Sequence, residues 1–345
     1  MKKSLIIAII IVFFISGCNI PFTTSSTPTP IPISSLLLNS GKGAQQTPTP
    51  FQPIPPTPTR TVLVMPTSTP APIALATQFP TPDLSNITQP AGQINILILG
   101  SDYRPGRGFR TDVIMLLSLN PAKGSATLTS FPRDLYITIP GIGMERINTA
   151  QEYGGFALTT ATFEENFGVT PNYYMMTNFD GFKGLIDTLG GIDVTVASTL
   201  KDECSVRSMV DGMGYCTIPA GFFHMNGETA LWYVRSRHSS SDFDRTRRAQ
   251  EVITAIFQKI VSLNGLNRVP ELYSLFNSSI ETNIPLSEII SLLPLATKLA
   301  SDPLSIRRYA IGTNETYNYI VPGSGAMVLI PDPYAVNAII QQALN

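Results

Sequence analysis

The stretch INILIL at residues 94–99 decides the fold class of this 345-residue chain. Apolar side chains on both faces are typical of a strand buried at the centre of a sheet. Two more strand patterns follow at 113–119 and 126–131, and turn residues at 120–124 connect them. We therefore predict that these strands are neighbours in one sheet.

Helices accompany the strands further along the chain. After Gly190 and Gly191, residues 192–196 alternate apolar and polar side chains, which predicts a half-buried or edge strand. Helical patterns follow at 226–234 and 242–263. Together these patterns predict an α/β sandwich, in which helices cover a central sheet.

The chain begins with the features of an exported lipoprotein. Two lysines precede an apolar run at 5–15, which ends in small residues and Cys18. This pattern predicts a lipoprotein signal peptide at 1–18 and a lipid anchor on Cys18. An uncleaved membrane anchor is the alternative, although the run is shorter than the roughly 20 residues that span a bilayer. Both alternatives place the rest of the chain at the extracytoplasmic face of the cell membrane.

Residues 19–90 differ in composition, since they are rich in Pro, Thr, Ser and Gln with repeated Thr-Pro pairs. Such a segment buries too little apolar surface to offset its ordering entropy, so we predict a disordered linker. Proline keeps it extended, as a tether that holds the domain off the membrane. Residues 91–345 are long enough for one large domain with a sizeable core.

The net charge and the cysteines indicate which partners the protein binds and whether it contains a disulfide. The net charge of −1 offers no basic excess for nucleic acid, so we predict no nucleic-acid partner. With Cys18 assigned to lipid, Cys204 and Cys216 remain. Outside the cytoplasm this pair is a disulfide candidate, with two free thiols as the alternative.

The last of these predicted helices carries two arginines on its inward side. Its apolar stripe runs through Val252, Ile256 and Ile260. Extending the stripe backwards reaches Arg248 and Arg245, near the start of the helix. The helix dipole disfavours cations there by a few tenths to about 1 kcal/mol, so two inward arginines predict a bound anion.

Two more arginines, Arg235 and Arg237, lie in the connection before this helix. Guanidinium groups match phosphate oxygens bidentately, so four arginines in this short span predict a phosphate or pyrophosphate ligand. The alternative is that Asp242 and Asp244 neutralise the helix arginines.

A second candidate site surrounds the end of the first strand. Asp102 follows that strand, Asp112 opens the next one, and a loop rich in glycine and arginine joins them. Neighbouring strands would bring both carboxylates to one end of the sheet, which suits Mg²⁺ because this ion takes few protein carboxylates plus substrate phosphates. Arg133 and Asp134 follow another strand end, where α/β sheets tend to carry sites.

Several motifs share their order and spacing with one known family. They are Leu99-Gly100-Ser101-Asp102, Arg110-Thr111-Asp112, Phe131-Pro132-Arg133-Asp134, Arg146-Ile147-Asn148-Thr149-Ala150, Asp187-Thr188-Leu189-Gly190-Gly191, and Tyr233-Val234-Arg235-Ser236-Arg237-His238 with Asp242-Phe243-Asp244-Arg245. Through them the chain resembles the LytR-CpsA-Psr (LCP) family. The resemblance implies an α-β-α sandwich with a central mixed sheet flanked by helices, and a transferase that attaches wall teichoic acids, capsular polysaccharides or related glycopolymers to peptidoglycan.

The resemblance also implies roles for single residues. By position, Asp102 and Asp112 match magnesium-associated aspartates, and the arginines that hold the lipid pyrophosphate correspond to Arg133, Arg235, Arg237 and Arg245. The catalytic candidates are therefore Asp102, Asp112 and Arg133, with Asp134 and Asp242 in supporting positions.

One position departs from the family pattern. The family commonly has glutamine four residues after the position of Arg245, where this chain has Ala249. Gln250 is adjacent but lies about 100° further round the helix. Arg248 is therefore our candidate for the missing phosphate contact.

The implied chemistry is Mg²⁺-dependent phosphoryl transfer. A sugar hydroxyl of peptidoglycan attacks the sugar-side phosphorus of a polyprenyl-pyrophosphate-linked glycopolymer, polyprenyl monophosphate leaves, and a phosphodiester link forms. The apolar segments at 179–189 and 286–299 are candidates for the polyprenyl channel, with core packing as the alternative. A hydrolase or a lipid-binding protein that uses the same site is the alternative function.

Overall fold

The computed structural model describes residues 83–345 except 105, 205, 238–241, 268 and 278. The predicted signal peptide, the predicted lipid site Cys18 and nearly all of the predicted linker lie outside the described residues. Within the described ranges, no helix combines the length and the apolar character needed to cross a membrane.

Groups of strands and groups of helices follow one another along this part of the chain. The strands are β1 Ile94–Ser101, β2 Thr111–Asn120, β3 Ser125–Phe131, β4 Tyr136–Ile139, β5 Gly143–Arg146, β6 Tyr173–Thr177, β7 Ile192–Val196, β8 Leu200–Glu203, β9 Tyr215–Ile218, β10 Gly221–Met225, β11 Glu281–Thr282, β12 Ile306–Ala310, β13 Thr316–Ile320 and β14 Met327–Pro331. The helices are α1 Ala150–Phe167, α2 Phe179–Thr188, α3 Gly227–Arg235, α4 Asp242–Ser262, α5 Val269–Phe276, α6 Leu286–Ser291, α7 Leu293–Ser301 and α8 Pro333–Leu344.

Six strands form one mixed sheet, in the order β11-β6-β1-β2-β3-β12. β1 is antiparallel to β2 and parallel to β6, and β3 is antiparallel to β2 and parallel to β12. The prediction that the first three strands are neighbours is therefore confirmed. The alternating strand β7 lies outside this sheet and pairs with β10.

Helices cover both faces of the large sheet, because successive side chains of β1 point to opposite sides. On one face, Leu97 and Leu99 belong to the apolar cluster that contains Phe163 of α1. Ile98 packs against another cluster, which contains Val252 of α4. The predicted α-β-α sandwich with a central mixed sheet is confirmed.

Side-chain caps set where three of the helices begin. Asn178, Asn226 and Asp332 each accept hydrogen bonds from backbone N–H groups in the first turn of α2, α3 and α8. Such caps satisfy donors that have no partner inside the helix. The cap on α3 fixes the helix that ends at Arg235.

The end of the predicted linker contacts the domain. Ile87 packs against the apolar cluster on the α1 face of the sheet. Asn337 of α8 donates a hydrogen bond from Nδ2 to the carbonyl oxygen of Asp83, at 2.6 Å. The predicted domain boundary at residue 91 stays a prediction.

A disulfide closes the hairpin of β8 and β9. Cys204 and Cys216 are bonded, with their Cα atoms 5.4 Å apart. Trp232 of α3 donates from Nε1 to the carbonyl oxygen of Glu203, at 2.8 Å. The hairpin is thereby joined to the helix that carries Arg235.

Candidate functional site

An elongated cavity of about 500 Å³ lies between the large sheet and helices α2, α3 and α4. Its charged lining residues are Asp112, Arg133, Arg235, Arg237 and Arg245. Helix α4 lines it from Arg245 to Ile260, a distance of about 22 Å at 1.5 Å per residue. The lining of α4 changes from charged to apolar along this distance, so the cavity has a charged end and an apolar end.

A break in strand pairing presents Asp112 to the charged end. Gly100 pairs with Val113, but its neighbour Ser101 pairs with Thr111, so Asp112 lies in a bulge between the two pairs. Bulges re-aim side chains next to active sites. The predicted adjacency of the first two strands therefore delivers Asp112 to the cavity.

Alternating charges continue from Asp112 across the sheet end. Arg133 donates from Nη1 to Asp112 Oδ1 at 2.8 Å, and its Nε lies 3.3 Å from Asp134 Oδ2. Asp134 Oδ1 in turn lies 3.2 Å from Nε of Arg146. The predicted supporting role of Asp134 thus has a geometric basis, because this carboxylate lies between two guanidinium groups.

Asp102 occupies the rim of the same sheet end. Its Oδ1 accepts a hydrogen bond from the backbone N–H of Arg110 at 2.6 Å, and its own N–H donates to the carbonyl of Arg110 at 3.1 Å. These bonds close the loop between β1 and β2. Asp102 is not among the residues that line the cavity, whereas Asp112 is.

Arg235 and Arg237 reach the cavity from the end of α3. The guanidinium carbon of Arg235 lies 4.4 Å from the ring centroid of Phe179, which also lines the cavity. A cation over an aromatic face is attracted by the ring quadrupole. Both arginines are exposed, while Ser236 between them is buried.

Arg245 reaches the cavity from the first turn of α4 and is 7% exposed. A gap of about 10 Å³ is lined by Arg245, Asp112, Arg133 and Ala249 together. These four residues are therefore close neighbours. Of the acidic residues expected beside this arginine, the side chain of Asp242 lies outside what the structure describes, so its supporting role stays a prediction.

Arg248 points elsewhere, although it is also on the inward side of α4. It is 2% exposed, is not among the cavity-lining residues, and donates from Nη2 to the carbonyl oxygen of Ser236. Its guanidinium carbon lies 5.7 Å from the ring centroid of Tyr233. Burial lowers the pKa of Arg248 below its ordinary value.

The side chain of Gln250 is buried and forms hydrogen bonds within the core. Its Nε2 donates to Ser130 Oγ and to the carbonyl oxygen of Tyr309, each at 2.7 Å. Ala249 itself lines the cavity. Neither sequence neighbour of Ala249 therefore lines the cavity in place of the family's glutamine.

A second cavity of about 290 Å³ continues the apolar end. The two cavities share the lining residues Met175, Ile260, Phe276 and Ile280. The second is also lined by Ile289, Leu292, Leu293 and Ala296, from the predicted segment at 286–299. The other predicted segment, 179–189, lines the first cavity through Phe179, Phe182 and Leu185. Both apolar segments expected near a lipid tail thus line this tract.

The described residues contain no cluster of three or more His, Cys, Asp or Glu side chains arranged to hold a metal ion. The two aspartates predicted to bind magnesium, Asp102 and Asp112, lie at the same end of two paired strands, and the magnesium site stays a prediction. Two carboxylates supplemented by substrate phosphates fit the ligand preference of Mg²⁺.

The sequence did not indicate a role for two residues that lie beside the site. Asp202 of β8 is buried and accepts a hydrogen bond from the N–H of Arg237 at 2.7 Å. Arg146 belongs to a quoted motif, and its place beyond Asp134 was not evident from the motif alone. No sequence pattern singled out Asp202, because residues 200–203 contain one apolar and three charged side chains.

Comparison with known proteins gives the chain a family. The model of the LytR_cpsA_psr family matches residues 69–332. Polyisoprenyl-teichoic acid–peptidoglycan teichoic acid transferase TagT of Bacillus subtilis (strain 168) is 33% identical over 212 residues, which are 60% of this chain and 65% of that protein. Regulatory protein MsrR of Staphylococcus aureus (strain COL) is 32% identical over 201 residues, 57% of this chain and 58% of that protein. The chain thus spans less than two thirds of the length of these curated relatives.

Solved structures share the fold. Bacillus subtilis TagV superposes with a TM-score of 0.60 at 25% identity, covering 73% of this chain and 97% of TagV. TagT bound to LI-WTA superposes with a TM-score of 0.57 at 27% identity, covering 76% and 96%. Since the family model matches most of the chain, from before the first strand to the end of the last, this protein belongs to the LytR-CpsA-Psr family.

Proposed function

We propose that this protein transfers a glycopolymer from a polyprenyl-pyrophosphate carrier to peptidoglycan and leaves a phosphodiester link. One observation carries the proposal: a single cavity has four arginines at one end and a continuous apolar lining at the other. A lipid pyrophosphate is complementary to this cavity, because it has an anionic head group and an apolar tail. Relatives named teichoic acid transferases, and the solved complex of TagT with LI-WTA, support this substrate class.

The arginines hold the pyrophosphate and stabilise charge on its oxygens during transfer. Guanidinium groups form bidentate, charge-assisted hydrogen bonds with phosphate. Preorganised cations at the point where charge develops are the main source of catalysis in phosphoryl transfer. Arg133 has an additional constraint, because its bonds to Asp112 and Asp134 hold its side chain in place.

In the transfer step, the acceptor hydroxyl oxygen bonds to the sugar-side phosphorus as the bond to the polyprenyl phosphate breaks. The leaving group departs as polyprenyl monophosphate. The acceptor hydroxyl loses its proton as this bond forms, and an oxygen of the departing polyprenyl phosphate takes it, so Asp112 keeps its bond to Arg133. Asp102 and Asp112 would hold Mg²⁺, which when bound would neutralise charge on the phosphate oxygens.

The apolar tract would take the polyprenyl tail. Helix α4 lines it over several turns, and the second cavity extends it toward α6 and α7. Burial of hydrocarbon contributes roughly 25 cal/mol for each Å² removed from water, so the tail provides affinity while the arginines fix the reacting phosphate. We place the active protein at the extracytoplasmic face of the membrane, with Cys18 as its lipid anchor, on the strength of the N-terminal sequence pattern.

The test supplies the full chain with a lipid-linked teichoic acid precursor and Mg²⁺, with and without peptidoglycan. The expected product is peptidoglycan that carries the polymer through a phosphodiester, identified by mass spectrometry. Arg235→Ala should lose this activity, while Arg307→Ala, another exposed arginine but on β12 and away from the cavity lining, should retain it. Release of free polymer regardless of peptidoglycan would identify a hydrolase, and binding without turnover would identify a lipid-binding protein. Either result contradicts the proposal.

A further inference from the structure

Two buried charges lie on either side of one peptide bond near the cavity. Arg248 donates from Nη2 to the carbonyl oxygen of Ser236. The N–H of Arg237 donates to Asp202 Oδ2 at 2.7 Å. This carbonyl and this N–H belong to the same peptide unit. The peptide is therefore clamped by a cation at its oxygen and by an anion at its N–H.

Both members of the clamp are shielded from water. Arg248 and Asp202 are each 2% exposed. Hydrogen bonds to ionised groups are stronger than neutral ones, and a low local dielectric strengthens them further. The second oxygen of Asp202 is also occupied, since Oδ1 accepts from the N–H of Glu203 at 2.8 Å. An amide at position 202 would therefore set its NH₂ group against one of two N–H donors.

The clamped peptide lies between two arginines that line the cavity. Arg235 is the last residue of α3, so Arg237 lies beyond the helix. Rotation of the peptide between Ser236 and Arg237 would change φ of Arg237 and so redirect its guanidinium group, while Arg235 stays on the helix. Asp202, in turn, is held in the hairpin of β8 and β9, which the disulfide closes.

We propose that Asp202 and Arg248 act together as positioning residues for Arg237. The inference rests on the proposed function, because it gives the clamp a part in pyrophosphate binding. It assigns Arg248 a role through the backbone, in place of the direct phosphate contact that the sequence led us to expect.

Calorimetric titration of the full chain with geranylgeranyl pyrophosphate tests the clamp. Asp202→Asn and Arg248→Gln should each lower the affinity about tenfold. Neither loss should exceed that of Arg237→Ala, since a support contributes no more than the group it supports. Because both residues act on one peptide, the double variant should lose little more than either single variant. Losses that multiply, or affinities equal to that of the unmutated chain, would overturn the proposal.

The matched control is Asp211→Asn in the same disulfide-closed hairpin. Asp211 Oδ1 also accepts from two backbone N–H groups, at 2.8 and 2.9 Å, but this residue does not contact the arginine segment. This variant should keep the affinity of the unmutated chain. An equal loss in the control would show that the hairpin acts only through general stability, and would also overturn the clamp.

A measurement on the unmutated chain covers the case in which the variants fail to fold. With ¹⁵N-labelled arginine, the amide proton of Arg237, assigned from its loss in Arg237→Ala, should lie downfield and exchange slowly with solvent. Rapid exchange would refute the clamp. If the unmutated chain binds no geranylgeranyl pyrophosphate, the proposed function fails, and the amide measurement still decides whether the clamp exists.

Discussion

Replacing Arg245 by alanine should weaken binding of a polyprenyl pyrophosphate about tenfold to a hundredfold. The side chain is 7% exposed and lines the charged end of the cavity, so salt screens it little. A charge-assisted hydrogen bond contributes about 1.5–3 kcal/mol, and about 1.4 kcal/mol corresponds to a factor of ten in Kd. Arg245→Lys should rescue binding poorly, because an ammonium group cannot reproduce the bidentate fork.

Arg247 on the same helix provides the control. It forms an ion pair with Glu251, lies 3.8 Å from Asp244, and is not among the cavity-lining residues. Arg247→Ala should keep the lipid affinity but lower the stability, because Glu251, whose side chain is 10% exposed, loses its cationic partner. Titration calorimetry and thermal unfolding on both variants separate the outcomes. If Arg245→Ala unfolds at a lower temperature but binds the lipid as tightly as the unmutated chain, its arginine serves the fold and the assigned site is wrong.

Three other predictions concern the magnesium site, the apolar part of the cavity and the ionisation of Tyr174. Calorimetry should find weak Mg²⁺ binding that tightens when a pyrophosphate lipid is present, and Asp112→Asn should remove this gain; equal affinity in both conditions would contradict the metal assignment. Ile256→Asp should abolish binding of long-chain but not of short-chain pyrophosphates, with Ile256→Leu as the control, because it places a charge in the apolar tract. Burial raises the pKa of Tyr174 to about 12, so the free energy of unfolding should fall between pH 10 and 12 as the unfolded phenol ionises first. Urea titrations should show a shallower fall for Tyr174→Phe.

The first three strands of the central sheet could be predicted because they are largely buried on both faces. Residues 94–99 are apolar except for Asn95, which favours a place in the middle of a sheet, and β1 is found there. The long helix at 242–263 was predicted within one residue of α4, because its stripe persists over many turns. The three short strands between 200 and 225 were not predicted, since four or five residues leave too little periodicity to recognise.

The candidate site shows what periodicity can and cannot specify. It correctly placed both Arg245 and Arg248 on the buried side of α4. Three residues along a helix correspond to a rotation of about 300°, so the two side chains diverge by about 60°. Because of this angle, Arg245 faces the cavity and Arg248 faces the carbonyl of Ser236. The positions of the neighbouring helices decide which of the two arginines faces the cavity, and the sequence pattern does not give these positions. For the same reason, no pattern in the sequence could pair Asp202 with the backbone of Arg237.

In the proposed complex, the helix α4 between Arg245 and Ile260 sets the distance between the arginine that binds the phosphates and the apolar residues that bind the tail. Every residue between them advances the helix by 1.5 Å and turns it by 100°. Inserting one residue after Ala249 would therefore swing the whole downstream apolar stripe away from the cavity while leaving Arg245 in place. The length of one helix therefore sets the proposed spacing between phosphate and hydrocarbon, and we expect the chain to tolerate substitution along this helix far better than insertion or deletion.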